Sequence, residues 1–154
     1  MSSEQDRPVT LKIAFPSGEM EVRQALAELR RGLAPMELAP EDEGAIELVL
    51  GEVLNNVVEH AYGPGKTGEV EMACTPRGGA LDFEVRDGGR ALPGLTLPEG
   101  VLPDLDCARD DLPEGGFGWF LVKSLVTGLR YERRAGCNLL RFRVPLGGGG
   151  GRAG

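Results

Sequence analysis

Three short stretches of this chain bring together residue types that chemistry uses. In the first, Glu52, Asn56 and His60 follow one another at intervals of four. Four residues of α-helix turn through about 400°, so these side chains form one narrow stripe. Val49, Val53 and Val57 run beside it, with Ile46 and Leu50 near them. A packing helix ordinarily keeps polar groups opposite its apolar face. Here they border it, which predicts half burial and a need for partners. Those partners are either a ligand or solvent along a polar helix edge, and the spacing alone favours solvent. The second stretch is Asp87-Gly88-Gly89-Arg90-Ala91, directly after an alternating apolar run. A carboxylate at a strand end can accept a hydrogen bond from an exocyclic amine such as that of adenine, and glycines beside it let a flat ring approach. The third is Gly115-Gly116-Phe117-Gly118-Trp119, just ahead of a helical run. A glycine-rich turn entering a helix offers bare N–H groups and the positive end of a dipole to phosphates. The carboxamide oxygen of Asn56 is a hard ligand suited to Mg²⁺, which phosphates would bridge. Singly, each stretch is commonplace. In a chain with 24 glycines, Gly-Gly-x-Gly is most often a loop and Asp-Gly-Gly a turn, and Asn56 alone reads as a helix-surface residue. Their order and contexts together point to a nucleotide site.

The elements that must position these stretches are legible in the pattern. Val9, Leu11, Ile13 and Phe15 alternate as in a half-buried strand. Pro16-Ser17-Gly18 ends it, with Ser17 expected to cap a helix over 19–33 that carries Val22, Leu26, Leu29 and Leu33. Ala34-Pro35 breaks that helix. Pro40 followed by Glu41-Asp42-Glu43 starts a second, with acids in the first turn where the dipole favours them. It is expected to run to Tyr62, where Gly63-Pro64-Gly65 stops it. Strands over 69–74 and 81–85 flank a turn at Pro76–Gly79 and predict a hairpin. From Gly88 to Gly116 the periodicity disappears, as in a functional or mobile loop that could serve as a lid excluding water. Asp104, Asp106, Asp110, Asp111 and Glu114 make this segment acidic. Arg90 and Arg109 are its cations, available to a γ-phosphate or to solvent. A helix over 117–126 follows, then a second hairpin over 129–133 and 139–144 about Ala135-Gly136. The expected fold class is α+β: a two-layer sandwich with a mostly antiparallel sheet of about five strands and three main helices on one face. Residues 9–146 are expected to form a single domain, with 1–8 and the glycine-rich 147–154 as flexible tails.

Composition narrows the function. The 154 residues are 41% apolar and 27% charged, which suits a globular chain, and aromatics at 5% imply a largely aliphatic core. A net charge of −7 argues against nucleic acid, whose phosphates require a basic surface. It leaves room for one nucleotide held by Mg²⁺ and backbone N–H groups. Cys74, Cys107 and Cys137 are too few and too scattered for a disulfide frame or a zinc site, and read as reduced thiols. With no apolar leader and no run of membrane-spanning length, the expected location is the cytoplasm.

The three stretches together resemble the N, G1 and G2 boxes of the GHKL ATP-binding superfamily, which includes histidine kinases, gyrase and Hsp90-type ATPases. Their form, Glu52-x-x-x-Asn56-x-x-x-His60-Ala61-Tyr62 with the two glycine motifs, is similar to the branch of anti-sigma-factor serine/threonine kinases. The resemblance extends over about residues 9–146 and implies a Bergerat-type α/β sandwich with ATP between the helix layer and a lid. It implies Glu52 as general base toward a substrate serine, Asn56 as Mg²⁺ ligand, Asp87 as the adenine-reading acid and Gly89 as its close-packed neighbour. Gly115, Gly116 and Gly118 would supply the phosphate-contacting turn. His60 matches a family histidine and carries no assigned role. The implied activity is ATP-dependent phosphorylation of a STAS-domain anti-anti-sigma protein, with a sigma factor as competing ligand, transcription regulation as the setting and a possible homodimer. The alternative is a nucleotide-dependent module that sequesters its partner without phosphorylating it. A histidine autokinase is disfavoured, since His60 is the only histidine and lies within the nucleotide helix. Gyrase-like and Hsp90-like roles are expected to need further domains. Ala91 stands where the branch has a second glycine, Trp119 where leucine is usual and Thr127 where aspartate is common.

Overall fold

The structure, a computed structural model, describes residues 10–62, 68–91 and 116–147, with 60–62 and 116–120 as backbone. Strand β1 (Leu11–Pro16) leads into helix α1 (Glu19–Leu33), a short 3₁₀ turn (Ala34–Met36) and helix α2 (Pro40–Asn56). A π-helical segment, Val57–Tyr62, continues α2. Then come β2 (Glu69–Arg77), β3 (Ala80–Asp87), helix α3 (Gly116–Leu125), β4 (Thr127–Arg134) and β5 (Cys137–Pro145). The five strands form one sheet in the order β1-β2-β3-β5-β4, and every pairing is antiparallel.

Period-two alternation divides the sheet into a dry face and a wet face. Ile13, Phe15, Val70, Met72, Cys74, Leu81, Phe83, Val85, Leu140, Phe142 and Val144 are buried in one core with the inner sides of the helices. The helices contribute Val22, Ala25, Leu29 and Leu33 from α1, and Ile46, Val49, Leu50, Val53 and Leu54 from α2. The core is mostly aliphatic, as composition implies, but Phe83 and Phe142 face each other across β3 and β5 with ring centroids 5.4 Å apart. On the wet face the pairs are charged: Arg143 Nε donates to Asp82 Oδ1 at 2.7 Å and Arg141 Nε to Glu84 Oε2 at 3.2 Å. Such exposed pairs contribute little to stability and serve mainly to favour one strand register.

The chain reversals follow turn chemistry. Gly78 and Gly79 have φ of 53° and 79°, and Ala135 and Gly136 have 53° and 78°. Two successive left-handed residues suit the twist of a two-residue hairpin, so β2 runs on to Arg77 and the turn is shorter than Pro76–Gly79. Ser17 does not cap α1. The N-cap residue is Gly18, without a side-chain cap. Ser17 is buried instead: its N–H donates to the Gly68 carbonyl at 2.8 Å, and its Oγ accepts from Gly68 N–H at 3.1 Å. The hydroxyl is drawn away from the helix by the need to satisfy backbone groups next to β2. No helix among the described residues is long and apolar enough to cross a membrane.

Candidate functional site

Helix α2 carries the first set of candidate residues. Val49, Leu50, Val53 and Leu54 are buried, whereas Glu52 and Asn56 beside them are half-buried, as their position bordering the apolar stripe requires. Asn56 Nδ2 donates to the Glu52 backbone carbonyl at 3.1 Å. With its nitrogen turned to the helix, the carboxamide has its oxygen as the end suited to a cation. The Glu52 carboxylate makes no hydrogen bond or ion pair among the described residues. His60 is described as backbone only. From Val57 the helix is π, whose i→i+5 turn takes more residues than an α turn. Sequence spacing could not show that change of pitch.

Asp87 is the last residue of β3 and continues the inward alternation of Leu81, Phe83 and Val85. Its side chain therefore lies on the helix side of the sheet, where it is 4% exposed. Gly89 N–H donates to Oδ1 at 2.8 Å, and Asn138 Nδ2 donates to the same oxygen at 2.9 Å. Oδ2 makes no hydrogen bond among the described residues. Burial pushes the Asp87 carboxyl above the usual carboxylate range, while the bonds from Gly89 and Asn138 and the nearby Arg133 guanidinium oppose that rise. Gly89 is buried beside it. Ala91 is not among the residues with positive φ, so the substitution for glycine carries no left-handed strain.

The glycine motif leads into α3, in which Gly116 is already helical. Gly116, Phe117 and Gly118 are the first described residues of that helix. α3 packs against α2, placing the helix of Glu52 and Asn56 beside the helix of Gly116 and Gly118. Gly115, the acidic stretch through Asp104, Asp106, Asp110, Asp111 and Glu114, Arg109, Cys107 and the Gly63-Pro64-Gly65 stop lie outside the described residues. Thr127 is an exposed residue at the start of β4.

The residues that sequence reasoning missed are on the second hairpin. Asn138 is 3% exposed and sits opposite Asp87 in the register of β3 and β5. Tyr131 and Arg133, on β4, both donate to its Oδ1. A signal existed: Asn138 continues the inward alternation of Val144, Phe142 and Leu140 toward the hairpin turn. The strand expected over 139–144 began one residue too late to include it.

The fold sets helices on one face of a sheet, a buried acid at a central strand end and a glycine-bearing helix beside an Asn-bearing one. A family profile described as histidine kinase-like ATPase domain matches residues 15–144. The chain belongs to the histidine kinase-like ATPase domain family. Among its relatives, the serine/threonine-protein kinase BtrW of Bordetella bronchiseptica is 30% identical over 62% of this chain and 65% of its own. The serine-protein kinase RsbW of Bacillus mycoides is 27% identical over 68% of this chain and 66% of its own. The matched stretch thus spans a little under two thirds of these relatives' length. A solved Mycobacterium tuberculosis structure of RsbU and RsbW domains aligns with a TM-score of 0.62 at 21% identity. It covers 90% of this chain and 32% of the other. This ATPase-domain membership implies ATP binding, and the structural likeness shows the shared fold.

Proposed function

We propose that this domain is an ATP-dependent serine/threonine protein kinase that regulates a partner by phosphorylation. The observation that carries the nucleotide reading is Asp87. Its carboxylate is buried, two donors occupy Oδ1, and Oδ2 has no donor among the described residues. A buried acceptor without a donor is costly, and the exocyclic amine of adenine supplies one. Gly116 and Gly118, with Gly115 before them, would offer first-turn N–H groups to phosphates. The Asn56 oxygen would hold Mg²⁺. When bound, Mg²⁺ and ATP supply the transferable phosphoryl group and the neutralisation of its charge.

The residue that separates kinase from nucleotide holder is Glu52. It lies one turn before Asn56, is half-buried, and its carboxylate has no partner among the described residues. It is therefore able to accept a proton from a serine hydroxyl brought to this helix. The naming of the matched relatives as serine or serine/threonine kinases supports the acceptor type. The motif resemblance points to a STAS-domain anti-anti-sigma protein as the substrate and a sigma factor as the competing ligand. The test is transfer of labelled γ-phosphate to such a partner. Glu52→Gln is expected to slow transfer by about 10²–10⁴-fold, the usual contribution of a general base. A transfer rate equal to that of the wild type would remove Glu52 from this role.

A further inference from the structure

We propose that Asn138 is the positioning residue of this pocket, a saturated amide that fixes both the orientation of Asp87 and the turn after β3. The inference rests on the nucleotide reading of Asp87. An asparagine side chain can donate two hydrogen bonds and accept two, and Asn138 does both. Its Nδ2 donates to Asp87 Oδ1 at 2.9 Å and to the Arg90 carbonyl at 2.8 Å. Its Oδ1 accepts from Tyr131 Oη at 2.5 Å and Arg133 Nη1 at 2.9 Å. The same Arg133 nitrogen donates to the Gly89 carbonyl at 2.7 Å.

Three consequences follow from that saturation. The amide has no valence left for a ligand, so it acts through Asp87. Its orientation is fixed, because a flipped amide would turn its NH₂ toward the Arg133 and Tyr131 donors and its oxygen toward the Asp87 carboxylate. With Oδ1 of Asp87 occupied by Gly89 and Asn138, Oδ2 is the oxygen presented to a base. The backbone is held as well. The carbonyls of Gly89 and Arg90 are gripped by Arg133 and Asn138, two residues that pair across β4 and β5. That grip shapes the turn through donors on the neighbouring hairpin rather than through glycine dihedrals, consistent with Ala91 lacking positive φ.

A residue that only stabilises the sheet would change affinity for all nucleotides alike. A residue that aims Asp87 changes discrimination between bases. The experiment is calorimetric binding of ATP and of inosine triphosphate, which has a keto oxygen in place of the amine. Asn138→Ala is expected to weaken ATP by about 10- to 100-fold, as loss of hydrogen bonds to a buried charged group does. Inosine triphosphate should weaken less, so the ATP preference narrows. Asn138→Asp, which sets a second carboxylate against Asp87, should be weaker for ATP than Asn138→Ala. Equal weakening of both nucleotides, or an unchanged ATP preference, overturns the positioning role. Asp87→Ala separates the two readings. If it loses ATP while Asn138→Ala keeps wild-type affinity and preference, the nucleotide reading stands and the Asn138 proposal fails. If Asp87→Ala binds ATP like the wild type, the nucleotide reading fails and takes the proposal with it. Should Asn138→Ala not fold by circular dichroism, Arg133→Ala decides. A narrowed ATP preference supports the clamp, and an unchanged one overturns it.

Discussion

Replacing Asp87 by asparagine sets binding against stability, and the structure gives the direction of each. Gly89 N–H and Asn138 Nδ2 both require an acceptor at the site of Oδ1. The introduced amide must therefore put its oxygen there and its NH₂ where Oδ2 was. A donor would then face the adenine amine. A hydrogen bond to a charged group contributes about 1.5–3 kcal/mol, so its loss weakens ATP by roughly 10- to 150-fold. Stability moves the other way. Burial dominates the rise of the Asp87 pKa above 3.8. A group whose folded pKa is raised binds its proton more tightly when native than when unfolded. Its contribution to stability is fully present below the unfolded pKa and is lost as pH rises through the folded pKa. At neutral pH the buried charge is therefore a burden, and Asp87→Asn should leave the ligand-free melting midpoint unchanged or higher. In the wild type, acidification through the folded pKa of Asp87 should favour the ligand-free fold while weakening ATP binding, because protonation removes the acceptor. Asp87→Asn should flatten that acid-side loss of affinity. Calorimetric titration with ATP across a pH series, paired with thermal melts, measures all three effects. ATP affinity within twofold of wild type would refute the base-reading role, and a substantially lower melting midpoint would show that the network outweighs the burial penalty.

Two further outcomes follow from single residues. Asn56→Ala should abolish the difference between ATP affinities measured with and without Mg²⁺. A wild-type affinity indifferent to Mg²⁺ would show that Asn56 holds no metal. Cys74 is fully buried and its thiol is pushed up to about 12 by desolvation, with Asp82 adding to the rise, so it should resist alkylation in the native state. Half-buried Cys137 should react with iodoacetamide ahead of it, as peptide mass mapping after a timed exposure would show. Labelling of Cys74 at the rate found in denaturant would contradict the packing of β2.

Local pattern determined most of the fold. Alternation in β1, β2, β3 and β5 and three- and four-residue spacing in α1 and α2 depend on near neighbours, and each run carries its own periodicity. The glycine motifs and the Glu52/Asn56 interval were legible for the same reason, since one helical turn or one loop contains them. Features that required a partner distant in sequence were not legible. Ser17 looks like a helix cap until Gly68 is brought beside it. The run to Tyr62 reads as one α-helix until the pitch changes to π at Val57. Asn138 looks like the edge of a hairpin turn until register places it against Asp87, 51 residues away. The carboxylate could be named from the sequence. Only tertiary structure decided which of its oxygens is occupied, because the donors that occupy it come from a turn and from another strand.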